Sequence, residues 1–590
     1  MLRALCRYYD NLRRRPNCGL PPDGYSKVTV NYNLTLTKDG EIKDIIPYVR
    51  EIMSGGKIKT EGRKELFPFR NSSTSIAAEV IDHREKYIFG IVYDKRNGGL
   101  TVDSKSLEAF EKCAEKNMDF LSDVRDEVAE AYKNFMRKWD PRENISNPIL
   151  LKMGKDYNGA KFVITTEDNE TKPLNAAAGV AAKWNETIKK REEDPLAERG
   201  QCAVTGKIEE IARTHDNILG IRGAQTSGAS LVCFNNTAFE SYGKKQSYNS
   251  GVSVEAMKKY TAALNYLVSE ETHKQELGDM TLVFWADTDT DETPYLSGFW
   301  YGMFPSAEMA EDKELKSVFE RMARGETSDI EGMDMSVDFC VIGLKPNSSR
   351  LSVKLFEKNS FGAMMKNIIS HCEDMRFSSD DDMISVWQID RELKSPNVTD
   401  GGDASLQSKL LMSVLKGSPY PRYMLETVVR RCRTDHDNST KKFYSVNKRR
   451  VRIIRACLIR DKYIEKGGYS MLQENSTDTA YLLGRLFAVL EKTQRDALGD
   501  INSSIKDKYF SSACATPYLV FPRLLKLFQT HIAKLDEGNR IYRDRLVQEI
   551  LSKLDGGFPR TYGTEEQGMF ILGYYQQKQK FYEKINKGEE

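Results

Sequence analysis

Ser395-Pro396-Asn397-Val398-Thr399-Asp400-Gly401-Gly402 is a run of chain breakers in which Val398 is the single aliphatic side chain. Proline removes a backbone donor, glycine frees the backbone, and Asn, Asp, Ser and Thr bond their own main chain. The run separates two kinds of periodicity. After residue 404 the apolar side chains recur only at helical spacing: Leu482, Leu486, Val489 and Leu490; Leu524, Phe528, His531 and Leu535; Leu546, Ile550 and Leu554. His531 then sits on an apolar stripe and reads as a core histidine rather than a ligand.

Upstream of the breakers, strands and helices mix. Val28 to Leu36 alternates apolar and polar side chains, and Lys38-Asp39-Gly40 turns the chain toward a second strand, Ile42 to Tyr48. Met53-Ser54-Gly55-Gly56 interrupts that pattern, and the apolar run Tyr87 to Tyr93 predicts an inner strand. Residues 103–139 are helical, with Phe120, Val124 and Val128 four apart. Further on, Lys161 to Ile164 and Thr281 to Trp285 read as strands and Val254 to Val268 as a helix. Asp338 to Leu344 and Ser352 to Phe356 read as paired strands around Pro346-Asn347. The prediction is an α+β chain: a large N-terminal mixed strand/helix region in two parts, 1–145 and 146–395, followed by a C-terminal helical bundle over 404–590.

Composition narrows the function. The 590 residues are 40% hydrophobic, enough for a sizeable core, and 88 basic against 86 acidic side chains leave a charge of only +2. A nucleic-acid site would therefore have to come from local segregation of charge. No stretch reaches the roughly 18 apolar residues of a membrane span, and no apolar signal core follows Met1. Ten cysteines without a C-x-x-C pair fit reduced thiols in a cytoplasm.

Charge is most segregated between Arg422 and Lys466, with 14 basic and 5 acidic residues. Within it, Lys448, Arg449, Arg450, Arg452 and Arg455 interleave with Val451, Ile453 and Ile454. On a helix this would make one cationic face, suited to releasing counterions from a phosphate backbone, or simply a solvated face. A second concentration of polar side chains is Cys202 to Tyr242, whose centre, Ile221-Arg222-Gly223-Ala224-Gln225-Thr226-Ser227-Gly228-Ala229-Ser230, is rich in small residues. It leads into Leu231-Val232-Cys233-Phe234, which reads as a short buried strand ended by Asn235-Asn236. Such a loop is either a tight turn or a rigid polar surface in which Gln reads base edges and Arg holds phosphate or guanine. Arg70-Asn71-Ser72 has the same mixture.

Enzyme signatures are missing: there is no Walker loop, H-E-x-x-H or G-x-S-x-G. Asp287-Thr288-Asp289-Thr290-Asp291 starts like a calcium loop but has Glu292 at the sixth position and Gly298 at the twelfth. Ser379-Asp380-Asp381-Asp382 reads as an acidic solvated turn. Cys202, His215 and Cys233 lack a fourth ligand and the close pairing zinc prefers, so neither metal nor other cofactor is expected.

Several blocks resemble one family in order along nearly the whole chain. They are CAVTGK from Cys202, His215, GAQTSGASLVCFN from Gly223, AFESYG from Ala238, Ala262 to Asn265, Leu282 to Asp287, Gly343 to Arg350, Tyr481 to Glu491 and Gln567 to Gln577. Together they resemble the large subunit of the type I-C CRISPR surveillance complex, Cascade. The resemblance implies a non-catalytic subunit that reads a protospacer-adjacent motif (PAM) in double-stranded DNA and promotes strand separation and R-loop formation. It implies as partners a CRISPR RNA, backbone subunits of the Cas five and Cas seven types, and the recruited Cas three helicase-nuclease. It also implies a Cas eleven type small subunit resembling residues 471–590, translated from an internal start near Met471. With it, Asn71, Ser72, Arg222, Gln225, Thr226 and Asn235 become candidate motif readers. Arg70, Lys244, Lys245, Lys448, Arg449, Arg450, Arg452 and Arg455 become candidate phosphate contacts. Leu219 stands where relatives are expected to carry a basic residue, so no lysine contact is assigned there. A nucleic-acid-processing hydrolase and a guide-independent DNA-binding regulator remain the alternatives.

Overall fold

The computed structural model describes residues 1–590 except 17, 55–56, 69–75, 193–197, 226, 306–316, 318, 322–332, 379–380, 396–403, 436–444, 500–502 and 584–590. Leu5, Tyr8 and Leu12 recur at helical spacing and are buried, which makes the first element an amphipathic helix, α1 (Leu2–Arg14). The chain forms two compact units. One comprises Pro16–Asn217 with Phe234–Lys258; the other comprises Met1–Arg15, Ile218–Cys233 and Lys259–Glu590.

In the unit built on Pro16–Asn217, the expected strands over Val28–Leu36 and Ile42–Tyr48 appear as β1 (Tyr25–Val30), β2 (Tyr32–Leu36) and β3 (Ile42–Pro47), and β4 (Val49–Ser54) and β5 (Lys57–Pro68) follow them. β1, β5 and β4 form an antiparallel sheet, while β2 pairs antiparallel with β3. Gly40 turns β2 into β3 at φ +84, and a Cβ there would lie 2.2 Å from the Phe135 amide nitrogen, so only glycine fits. The expected inner strand over Tyr87 to Tyr93 is not one. Tyr87, Ile88 and Phe89 lie in a short helix, α2 (Glu85–Phe89), closed by Gly90 at φ 68, whose N–H donates to the Lys86 carbonyl. Strand pairing begins only at β6 (Val92–Asp94), opposite β7 (Gly99–Thr101). A continuous apolar run fits a buried helical turn as well as a strand, and the left-handed glycine decides it.

Helices α3 (Ser104–Phe120) and α4 (Glu127–Lys138) occupy the predicted helical stretch, followed by α5 (Pro148–Met153). β8 (Phe162–Thr166) joins β2 in parallel, with buried Thr165 donating its hydroxyl to Asn33 Oδ1 at 3.0 Å. Helix α6 (Ala178–Glu192) and the small hairpin of β9 (Arg199–Gln201) and β10 (Ile208–Glu210) complete this part.

The other unit is organised on a six-stranded sheet. It uses β11 (Asn217–Ile218), β12 (Ala229–Ser230), β13 (Lys274–Leu277), β14 (Met280–Ala286), β15 (Asp338–Asn347) and β16 (Arg350–Ser360), ordered β11-β12-β16-β15-β14-β13. Every residue of β14 is buried, in keeping with a run that is apolar apart from Thr281, whose hydroxyl donates to Glu276. The expected strand over Leu231 to Phe234 does not form: pairing ends at Ser230, and Leu231 to Phe234 are half-buried. The chain leaves this unit after Cys233, so no neighbouring strand continues the ladder.

Two helices flank β14 in sequence, α7 (Val254–Ser269) and α8 (Thr293–Met303). The acidic run between β14 and α8 receives α1. Asp287 accepts from Asn11 at 2.7 Å and pairs with Arg7 at 2.8 Å, while Glu292 takes Tyr8 Oη and Arg15 Nη1, each at 2.6 Å. Asp291 accepts from the Thr293 N–H at 3.0 Å. These carboxylates serve a helix dock and a helix start.

After β16 the unit is helical: α9 (Phe361–Asp374), α10 (Val386–Leu393), α11 (Ala404–Lys416), α12 (Arg422–Thr434) and α13 (Lys448–Arg460), then α14 (Thr479–Leu498), α15 (Ile505–Ala515), α16 (Pro517–Ile532), α17 (Glu537–Ser552) and α18 (Thr564–Lys580). The α+β class therefore holds: among the described residues strands and helices mix up to Ser360, and only helices follow. The boundary expected at 395–404 does not separate two cores. Ile368 and Ile389 before it belong to the same buried cluster as Leu410, Val428 and Ile454 after it. Breakers interrupt a chain without interrupting packing. Likewise, 471–590 is not a closed bundle within this chain, because Gly568 of α18 lies against Ile454, Leu458 and Leu425 of α13 and α12. Among the described residues no helix is long and apolar enough to cross a membrane.

Candidate nucleic-acid interface

The cationic stretch of α13 faces inward. Arg450 is 1% exposed; its guanidinium meets Asp435 at 2.8 Å, Glu392 at 3.2 Å and the Ser445 carbonyl at 3.0 Å. Arg452 is buried and donates to the Met375 and Asp382 carbonyls. Arg455 is buried and donates to the carbonyls of Asp374 and Arg376, each at 2.9 Å, and of Gly468 at 2.8 Å. The carbonyls at 374–376 belong to the end of α9, where the helix leaves acceptors unpaired and carries partial negative charge, so guanidiniums cap it well. The expected phosphate contacts at Arg450, Arg452 and Arg455 are thereby corrected: these groups are spent inside the fold, out of reach of a phosphate. Lys448 and Arg449 are on the surface, but Lys448 pairs with buried Asp381 at 2.5 Å and Arg449 lies 4.0 Å from Glu392. Asp381, read as part of a solvated turn, is a buried anchor instead.

The loop between β11 and β12 has the opposite construction, with its backbone fixed and Arg222 and Gln225 exposed. Ile218, Ile221 and Ala229 are buried and pin it to the sheet. The Leu219 N–H donates to Asn265 Oδ1 of α7 at 2.8 Å. A first turn closes by Ala224 N–H to the Ile221 carbonyl at 3.1 Å, with Gly223 at φ 80, and a second by Gly228 N–H to the Gln225 carbonyl at 2.8 Å. Arg222 occupies a central position of the first turn, Gln225 opens the second, and both are exposed. No ion pair holds Arg222 among the described residues.

Strand pairing brings a second polar turn beside this loop. β12 runs parallel to β16 with Ser230 opposite Arg350, and the Ser230 N–H donates to the Ser349 carbonyl at 2.9 Å. A Cβ on Gly223 would lie 3.4 Å from Pro346 of β15. The β15–β16 turn, Asn347-Ser348-Ser349, is exposed, with Ser348 at φ 56. The result is one surface: Arg222 and Gln225 from the loop, Asn347, Ser348 and Ser349 from the hairpin turn. A guanidinium, amides and hydroxyls offer paired donors and acceptors of the kind base edges present in a DNA groove.

In the other unit, Asn235, Lys244 and Lys245 are exposed. Lys244 and Lys245 directly follow a tight two-residue turn in which Ser241 bridges Lys244, with Tyr242 at φ 51 and Gly243 at φ 70. A bulky residue in that left-handed conformation costs roughly 1–2 kcal/mol. Asn249 holds the turn closed: its Oδ1 accepts from the Ser241 N–H at 2.9 Å, and its Nδ2 donates to the Lys244 and Gln246 carbonyls at 2.7 and 2.9 Å. The candidate residues Arg70, Asn71, Ser72 and Thr226 lie outside the described residues.

Cys202 and His215 each have a local role. Burial pushes the Cys202 thiol up, but hydrogen bonds from Ser253 and Thr205 outweigh it and hold the thiol at about 7. Burial lowers His215 to about 4, and its Nε2 lies 3.4 Å from Ser250 Oγ. Among the described residues no group of three or more His, Cys, Asp or Glu side chains is placed to hold a metal ion.

The family model for CRISPR-associated protein (Cas_Csd1) matches residues 5–582. The chain belongs to the Cas_Csd1 family. No curated protein matches it. The family match covers both units, so the loop surface and the lysine-flanked turn are parts of one CRISPR-associated chain. Sequence reading missed the Asn347–Ser349 turn as a neighbour of the Arg222 loop. Its block, Gly343 to Arg350, carried the signal, but only the parallel register of β12 on β16 joins the two.

Proposed function

We propose that this Cas_Csd1 chain is the large subunit of a type I-C Cascade and reads a PAM in duplex DNA through the surface of Arg222, Gln225 and the Asn347–Ser349 turn. The observation that carries this reading is the contrast in construction. The loop backbone is tied to the sheet and to Asn265, while Arg222 and Gln225 are exposed on its two turns. Rigid backbone with free polar tips is what direct readout needs, because misplacing a bidentate group by an ångström forfeits its discrimination. In this reading the chain recognises the motif and helps open the duplex, the CRISPR RNA reads the rest by base pairing, and a recruited Cas three helicase-nuclease does the cutting. Backbone subunits of the Cas five and Cas seven types complete the assembly.

Arg222→Ala and Gln225→Ala are each expected to cost about 1–3 kcal/mol on the cognate motif and to blur preference there. Competition binding with cognate and altered duplexes measures it; equal losses on both duplexes would assign these side chains to backbone contact instead.

The small subunit is a product of the same gene in this proposal. Met471 is 70% exposed in the segment between α13 and α14, and α14 to α18 follow it in one fragment. Intact mass spectrometry of the natively expressed complex is expected to show a species beginning within a few residues of Met471. A fully assembled complex lacking it would refute the internal start.

A further inference from the structure

Tyr242 is 99% exposed. We infer that its ring is a stacking platform for an unpaired base of a nucleic-acid strand whose phosphates are taken by Lys244 and Lys245. The inference deepens the proposed function and rests on its choice of nucleic acid as ligand.

Nothing in the fold rewards an aromatic side chain at this position. The ring stands in water, and its backbone holds φ 51, a conformation bulky residues avoid and glycine adopts freely. Strain kept at a surface tip while contributing no packing marks a position held for its side chain. The tip is also prevented from relaxing. Asn249 grips both sides of the turn, and Gln246, at φ 48 just beyond it, accepts from Arg213 Nε at 2.8 Å. The ring is thus presented at a fixed place, which lowers the ordering cost of stacking on it.

The charges select the partner. No ion pair holds Lys244 or Lys245 among the described residues. The nearby acid, Glu240, accepts from the Gln246 N–H at 3.1 Å and so is turned into the loop. A flat apolar face with uncompensated cations beside it suits planar bases strung on phosphates, and stacking tolerates any base because every base has a π-face.

The test uses the full chain with two single-stranded probes of equal length, an oligothymidylate and one carrying abasic sites. Tyr242→Gly relieves the backbone strain, so its melting temperature is expected at or above that of the parent. Its affinity for the base-bearing strand is expected to fall about five- to hundredfold, with the abasic strand unaffected. Tyr242→Trp is expected to restore binding. Lys244→Ala with Lys245→Ala is expected to weaken both probes alike and to flatten the salt dependence by about one unit per lysine. Unchanged binding by Tyr242→Gly would overturn the inference and leave the ring as a contact for a protein partner; equal loss on both probes would overturn it as well. If the lysine variant alone weakens binding, the nucleic-acid reading stands and stacking falls. If the parent binds neither probe, both fall.

Discussion

Gly484→Ala is expected to unfold or grossly loosen the C-terminal helices. A Cβ at Gly484 would lie 1.9 Å from the Phe570 carbonyl oxygen, and one at Gly573 would lie 2.2 Å from the Tyr481 carbonyl oxygen. Helices α14 and α18 therefore cross backbone to backbone, each contributing the glycine that admits the other. Close approach of carbon to a carbonyl oxygen ends near 3.3 Å, so a methyl group must push the helices apart by more than an ångström. That shift would also break the bonds that lock the crossing: Tyr481 Oη to Gln576 Oε1, Arg485 Nε to Gln577 Oε1 at 3.0 Å, and Tyr574 Oη to Glu491. Overpacking a tight core costs about 1–3 kcal/mol and occasionally more, and a contact with main chain on both sides belongs at or above the top of that range. Gly99, where a Cβ meets nothing within 4 Å, is the control, and alanine there should be close to neutral. Chemical denaturation of the two variants gives the comparison. Equal stability would mean that the crossing is not as close as described.

Arg450→Met is the second large effect. Arg450 and Asp435 are both nearly solvent-free, and the same guanidinium reaches Glu392. Removing it leaves buried Asp435 with Arg431 alone at 3.2 Å and Glu392 with Arg449 only at 4.0 Å, and breaking a buried pair in this way costs about 3–5 kcal/mol. Arg449→Ala, at the surface end of the same helix and 4.0 Å from Glu392, should cost about 1 kcal/mol or less. Thermal melts separate the two classes. An Arg450→Met chain as stable as the parent, but with a flatter salt dependence of DNA binding, would restore the exposed cationic face that the sequence suggests.

Arg450 also shows where sequence reading stops. The count of 14 basic against 5 acidic residues between Arg422 and Lys466 is correct, yet two of the acids that engage this stretch, Asp381 and Glu392, lie outside it. A local charge balance cannot register carboxylates brought in by tertiary folding. Nor can it register the carbonyls at the end of α9, which consume the donors of Arg452 and Arg455 as completely as phosphates would. The strands were more legible, because alternation and breakers act locally: Asp338 to Leu344 and Ser352 to Phe356 do pair, and the helical stripes beyond 404 are helices. Tyr87 to Tyr93 misled because an unbroken apolar run has no period to read. At the candidate site, glycines and hydroxyls pointed to a tight exposed loop, and the turns at Gly223 and Gly228 agree. Its neighbour across the sheet was not legible, since parallel pairing of β12 with β16 leaves no short-range trace.

Selection of duplexes from a library with randomised flanks, by the assembled complex containing this chain, tests the central claim most directly. The account predicts that the parent enriches one short motif and that Arg222→Ala or Gln225→Ala broadens the preference at particular positions of it while the complex stays assembled. An identical enriched motif from parent and both variants would contradict it.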